Sequence, residues 1–249
     1  MKYGNLYIGK GVVQMYKRVI LKLSGEALAG EGDGDIYNND MVLDVAEQIK
    51  SIVNKGVEVG VVIGGGNIWR GRSSDSNMDR TSADQMGMLA TVLNAVYLMD
   101  AFRQKGIKAT IQTPIQIGAL TELFNKQKAE EKLKAGEVII FAAGIGHPFF
   151  STDTVTALRG AELNADVLLF AKNIDSVYDS DPDTNKDAKK LDEIKCKDII
   201  SMGLKVIDTS AASLCCDQKL PIIIFALNEQ DSLIKAVNGE KIGTTVTVD

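Results

Sequence analysis

The sequence predicts an α/β fold, a mainly parallel central sheet with helices on both faces. Three observations carry that prediction. Strands and helices alternate almost throughout, as a parallel sheet with crossover helices requires. Two apolar, β-branched runs, Val57–Ile63 and Val138–Ala143, read as strands buried on both faces. Glycine turns follow three strand ends, at Ser24-Gly25, Gly64–Gly66 and Gly144–Gly146. In a parallel sheet those carboxyl ends share one edge, where open α/β folds place their ligands. The crossovers should be right-handed. At 249 residues, with 45% hydrophobic and 24% charged, the chain suits one large α/β domain or two small ones and can bury a sizeable core.

Residues Met1–Tyr16 carry no clear pattern and are treated as an extension of unknown role. Arg18–Leu23 is a strand with Lys22 one residue before its end, and Gly30–Asp35 a mobile loop rich in glycine and acid. Asn39 or Asp40 can cap a helix in which Val42, Val45, Ala46, Ile49 and Val53 repeat at helical spacing. Gly56 stops it, and the strand Val57–Ile63 follows. A long helix runs from about Ser82 to Lys105, with Met86, Leu89, Ala90, Leu93 and Tyr97 on one face and Asp84 in its first turn. Ala109–Gln112 is a short strand and Glu122–Lys134 a charged helix, with Glu130 and Lys134 as an i, i+4 pair. After the strand Val138–Ala143, Thr152 or Asp153 caps a helix to about Ala165. Val167–Ala171 is a strand and Asn173–Asp187 a long polar loop, the best boundary between two halves. Cys196–Met202 and Thr209–Gln218 are helical, Ile222–Ala226 is a strand, and Asp231–Val237 and Thr244–Val248 close the chain.

The net charge of −5 argues against a nucleic-acid surface. An acidic chain binds anions only where it concentrates cations, which singles out Lys22, Arg70, Arg72 and Arg80. The longest apolar stretch, Leu220–Leu227, is far short of the ~20 residues of a membrane helix, and no signal peptide is evident. The three cysteines, Cys196, Cys215 and Cys216, have no metal-ligand spacing, and an odd number is no disulfide framework. The cytoplasm is the expected compartment and no protein-held metal is expected.

The sequence has no P-loop, no H-E-x-x-H and no nucleophile elbow. Gly64–Gly66 can present backbone N–H groups to an anion, with Arg70 four residues on, or be a plain strand-to-loop turn. Lys22, a cation inside an apolar strand, needs an anionic partner unless it snorkels from an edge. Asp153 reads as a helix cap, as a carboxylate orienting that lysine, or as both. The lone His147 reads as a hydrogen-bonder in a glycine-rich turn. Tyr178-Asp179-Ser180-Asp181 is a turn or an aromatic-plus-carboxylate edge for an adenosine.

Six stretches in order carry a resemblance: K-L-S-G-E-A-L at Lys22–Leu28, G-V-V-I-G-G-G-N-I-W-R-G at Gly60–Gly71, D-Q-M-G-M-L-A-T at Asp84–Thr91, P-F-F-S-T-D-T at Pro148–Thr154, A-L-R-G-A-E-L-N-A-D at Ala157–Asp166 and V-Y-D-S-D-P at Val177–Pro182. Together they resemble the bacterial uridylate (UMP) kinases of the amino-acid kinase superfamily, from about Lys17 to the C-terminus. The resemblance implies a three-layer αβα sandwich as a single domain over residues 17–249, with an acceptor-binding half to about 171 and an ATP-binding half from about 172. It implies ATP-dependent phosphorylation of UMP to UDP in pyrimidine nucleotide biosynthesis, by in-line transfer with Lys22, Arg70 and Mg²⁺ neutralising charge. Lys22, Leu23, Ser24, Gly25, Gly66, Arg70, Lys172, Tyr178 and Asp181 would line ATP. Gly65, Asp84 and the segment Ile145, Gly146, His147, Pro148, Phe149, Phe150, Ser151 and Thr152 would hold UMP, with Asp153 near the transferring phosphoryl group. A homohexamer under control of GTP or UTP is implied as well. Three positions depart from the family: His147 stands for the usual Asn, Ser176 for a Gly, and the Gly30–Ile36 loop lacks a Phe. A carboxylate or carbamate kinase of the same superfamily and a non-catalytic nucleotide-binding oligomer are the alternatives.

Overall fold

Strand β1 (Arg18–Leu23) lies in the middle of the sheet because both its faces are apolar. Val19, Leu21 and Leu23 point to one side and Ile20 to the other. The computed structural model describes residues 15–30, 35–69, 78–180, 184–204 and 206–248. In parallel register β1 pairs with β2 (Glu58–Ile63) on one side and β6 (Val167–Lys172) on the other, so Lys22 stands between Val62 and Phe170. Beyond β2 lie β5 (Val138–Phe141), β3 (Ala109–Thr113) and the two-residue β4 (Glu122–Leu123); beyond β6 lie β10 (Ile222–Ala226), β11 (Thr244–Thr247) and β9 (Glu193–Lys195). Among the described residues, only the β10–β11 pairing in this sheet is antiparallel. A separate ribbon pairs β7 (Val177–Tyr178) with β8 (Lys190–Leu191).

Helices cover both faces. Helices α1 (Asn39–Asn54), α2 (Arg80–Gln104) and α7 (Ser232–Val237) pack Val45, Ile49, Leu98, Phe102 and Leu233 against Leu21, Leu23, Val61 and Ile63. On the other face are α3 (Lys126–Lys134), α4 (Thr152–Glu162), α5 (Cys196–Ser201) and α6 (Thr209–Gln218), whose Leu133, Val155, Ile199 and Ala212 meet Ile20, Val62, Phe170 and Ile224. The result is a three-layer αβα sandwich. Each fully buried Val, Leu or Ile contributes about 1.5–3 kcal/mol, enough in sum to hold β1 rigid while it carries a buried lysine. Among the described residues no helix is long and apolar enough to cross a membrane.

Several sequence expectations are corrected. The segment 122–134 is not one helix: Asn125 caps α3 at Lys128 N, and Glu122–Leu123 joins the sheet edge instead. The Glu130–Lys134 pair forms as expected, at 4.0 Å. Helix α1 is capped by Asn38, and α4 by Ser151. Helix α2 begins at Arg80, which places Asp84 beyond the first turn. Its buried face is Ala83, Ala90, Asn94, Leu98 and Phe102, while Met86, Leu89 and Leu93 are exposed. The polar loop after β6 contains β7. Residues 1–14, and much of the Gly30–Asp35 loop, lie outside the described residues.

The cysteine reading is corrected too. Cys196, at the start of α5, and Cys216, in α6, form a disulfide, and Cys215 is left free and buried. A cross-link over a separation of 20 residues is expected to contribute about 3 kcal/mol by restricting the unfolded chain. Thermal melts with and without a thiol reductant read this contribution. An unchanged Tm would show that the two sulfurs contribute nothing as a pair. Burial pushes the Cys215 thiol up to about 12, so it should stay unreactive to alkylation in the folded protein.

Candidate active site

The ends of β5, β2 and β1 are neighbours in the sheet, so their three glycine-bearing turns stand side by side. Two glycines are there because nothing else fits. A Cβ on Gly25 would come within 2.4 Å of Asn67 Oδ1 and 2.8 Å of Gly66 N. One on Gly65 would meet Ala90 Cβ at 2.9 Å and Gly87 O at 3.0 Å, so α2 lies directly against that turn. The Ser24 Oγ accepts from Ala27 N and caps a short 3₁₀ turn, Gly25–Leu28. Leu23 has its side chain in the core and its carbonyl bonded to Gly64 N.

The charged centre lies on the α4 face of the sheet. Lys22 is 7% exposed and Asp153 9%. The ammonium of Lys22 is 3.3 Å from one Asp153 oxygen, and that of Lys172, at the end of β6, is 3.6 Å from the other. Lys172 also donates to Val206 O. Because Ser151 supplies the cap, through Oγ to Asp153 N at 3.0 Å, the Asp153 carboxylate is left for the two lysines. Buried Lys22 and partly buried Lys172 thus share one carboxylate directly, with Asp208 a second negative charge close enough to act on Lys172. Burial lowers the Lys172 pKa, with Lys22 adding to the effect and Asp153 and Asp208 opposing it.

Between α2 and the turn after β5 runs a cleft lined by Gly65, Gly66, Trp69, Asp84, Thr91, Gly144, His147, Phe150, Ser151 and Thr152, among others. Asp84 sits in it with partners: Arg80 Nε at 2.9 Å and Phe149 N at 2.8 Å. Phe149 takes a positive φ of 73°, and Arg80 lies 5.4 Å from its ring centre. Thr91 Oγ1 accepts from Ala143 N at 2.7 Å, holding the left-handed turn at Ala143 and Gly144.

The structure thus gathers most of the predicted residues along one sheet edge. Gly65, Asp84, His147, Phe150, Ser151 and Thr152 share the cleft with Gly66, which the resemblance had put on the ATP side. Ile145, Gly146, Pro148 and Phe149 complete the same turn without lining its floor. Lys172, expected at the border of an adenosine, points its ammonium at Asp153. Tyr178 stands apart on β7, its hydroxyl donating to Asp175 at 3.0 Å. Arg70 and Asp181 lie outside the described residues. Among those described, no cluster of three or more His, Cys, Asp or Glu is placed to hold a metal ion.

Asp208 is a site residue that sequence reasoning missed. It caps α6 through Ala211 N at 2.7 Å, accepts from Ser151 Oγ, and accepts from Thr154 Oγ1 at 3.1 Å. It therefore ties the start of α6 to the start of α4, where Asp153 sits. Its position before Thr209 is a cap signal, but nothing local points to bonds 54 residues away.

The profile of the Amino acid kinase family matches residues 17–226. Three solved structures resemble the chain over most of its length. The UMP kinase from Bacillus anthracis is 36% identical, with a TM-score of 0.91 over 95% of this chain and 98% of that one. The UMP kinase from Ureaplasma parvum is 32% identical, with a TM-score of 0.87 over 94% and 100%. The uridylate kinase from Archaeoglobus fulgidus is 28% identical, with a TM-score of 0.72 over 92% and 99%. With its fold, its strand-end turns and its sequence in agreement, the chain belongs to the amino acid kinase family, among its UMP kinases.

Proposed function

We propose that the protein transfers the terminal phosphoryl group of ATP to UMP, giving UDP. The observation that carries this reading is the buried Lys22–Asp153–Lys172 centre at the edge where the glycine turns converge. UMP would lie in the cleft along α2, in the N-terminal half to about residue 171. ATP would approach from the C-terminal half, past Lys172 and Tyr178. The phosphate of UMP is its own nucleophile: with a second pKa of about 6 it is largely dianionic at neutral pH, so no general base is needed. The difficulty is bringing two polyanions together, and positioning with charge neutralisation carries most of such a reaction. Lys22 and Lys172, with Arg70, would meet that charge, and backbone N–H groups of the turns would add to it. Asp153 holds the two ammoniums apart and aimed, and takes no proton.

Mg²⁺ would arrive on the ATP phosphates. The donor set suits that, since both Asp153 oxygens are taken by lysines and Mg²⁺ commonly binds through substrate phosphates and water. Assembly into a homohexamer is proposed on the resemblance, supported by the exposed apolar stripe of Met86, Leu89, Leu93 and Val96 on α2. Control by GTP or UTP rests on the resemblance alone. An ADP-release assay with UMP, CMP and glutamate, repeated with GTP and UTP, tests the whole reading. Turnover with glutamate and none with UMP would overturn it.

The lowered Lys172 pKa has opposite consequences for stability and activity. Between that pKa and the ordinary lysine value of 10.5, the folded chain has released a proton that the unfolded chain still holds. In that window the lysine's burial cost is relieved as pH rises. Activity should fall over the same window, because the cation is lost. The alkaline limb of kcat/KM for ATP is therefore expected below the ordinary lysine range, and Lys172→Arg should move it up. A limb unmoved in that variant would exclude Lys172 as its source.

A further inference from the structure

Asn94 lies in the middle of α2 with no exposed surface, in an otherwise apolar run. A buried amide is tolerated only when its donors and acceptor are all used, and here they are. Its Nδ2 donates to Gly64 O and to Asn67 Oδ1, each at 2.7 Å. Its Oδ1 accepts from Tyr37 OH at 2.8 Å. Asn67 in turn donates to Ile36 O at 2.9 Å. The same Asn67 Oδ1 is the atom that a Cβ on Gly25 would strike. One amide pair thus touches the turn after β1, the turn after β2, helix α2 and the segment leading into α1. None of these contacts belongs to the charged centre or to the cleft floor.

We propose that Asn94 is a positioning residue, which sets the height of the Gly64–Gly66 backbone beside Lys22 through its bond to Gly64 O and its pairing with Asn67. The proposal rests on the reading of that edge as a phosphoryl-transfer site. Asn94 touches neither substrate. It acts by fixing where the N–H groups of the turn meet the transferring phosphate, and Tyr37 fixes the amide's orientation.

The chain supplies its own reporter. Trp69 is the single tryptophan, its backbone N–H donates to Gly65 O at 2.9 Å, and its indole lines the cleft. Asn94→Asp keeps the size and the acceptor for Tyr37 but faces a carboxylate toward two other acceptors. It is expected to lower kcat about 10²-fold, the cost of a roughly 1 Å misplacement, with KM for each substrate within about threefold. Trp69 emission should shift without any substrate present, with far-UV circular dichroism unchanged. Tyr37→Phe, which removes one hydroxyl, should lower kcat about fivefold and shift the emission in the same direction. Parental kcat in Asn94→Asp, or parental emission in both variants, would overturn the proposal. If Asn94→Asp does not fold, Tyr37→Phe decides alone by the same two readouts. If the parent chain fails to phosphorylate UMP, the functional reading falls, and the emission comparison still decides whether Asn94 positions the turn.

Discussion

Lys22→Ala is expected to lower kcat by about 10²–10³-fold while leaving the Tm close to that of the parent. The two halves of this result have separate causes. Lys22 is held at a rigid strand end, 3.3 Å from Asp153, with Val62 and Phe170 on either side, so its ammonium does not wander. A fixed cation facing charge that develops in transfer acts mainly on the transition state, and its loss appears in kcat more than in KM. Stability should change little because Asp153 keeps Lys172 at 3.6 Å and is not left as an unpaired buried charge. The Lys172 pKa should also rise toward its ordinary value, since Lys22 is one of the groups that lower it. Lys22→Arg should not rescue, because a planar fork does not replace a compact ammonium in a site shaped by β1 and α4. Steady-state kinetics and a thermal melt on the same preparation read both halves. Near-parental kcat in Lys22→Ala would remove Lys22 from the reaction.

How much of this was legible in the sequence follows from how far each interaction reaches. The central strands declare themselves because burial on both faces demands continuous apolar, β-branched runs. Lys22 was conspicuous because a cation in such a run needs a partner, and Asp153 was named as that partner even though the cap beside it proved to be Ser151. Helix α2 misled because it is apolar on two faces. The spacing of Met86, Leu89 and Leu93 is as regular as that of the residues packed on the sheet, and periodicity alone does not say which stripe faces inward. The Lys172–Asp153 contact was not legible because a position at the end of β6 fixes the backbone and not the direction of a long side chain. The Cys196–Cys216 bond escaped because an odd count of cysteines argues against pairing, and only the packing of α5 on α6 brings these two together. Asp208 and Asn94 were invisible for one reason: their partners lie far away in the chain, in other turns and at another helix start.

Asp208→Ala should show how far the charged centre depends on such a long-range tie. Three losses coincide at this position. The cap of α6 goes, about 1 kcal/mol. The hydroxyls of Ser151 and Thr154 lose a charged acceptor in a half-buried setting, about 1–3 kcal/mol for groups left without a partner. Lys172 loses one of the two carboxylates that support its charge, which should push its pKa lower still. The first two together predict a destabilisation of about 2–4 kcal/mol, read from denaturant unfolding at fixed reductant. Activity should fall at least about tenfold, because Ser151 fixes the first turn of α4 and with it the Asp153 carboxylate. Asp208→Asn separates the contributions: it can keep an oxygen on Ala211 N, so the helix cap survives while the charge is lost. It should regain much of the stability and little of the alkaline activity, since the Lys172 pKa stays depressed. Equal recovery of both would mean that Asp208 serves only as a cap, and that the two lysines are held by Asp153 alone.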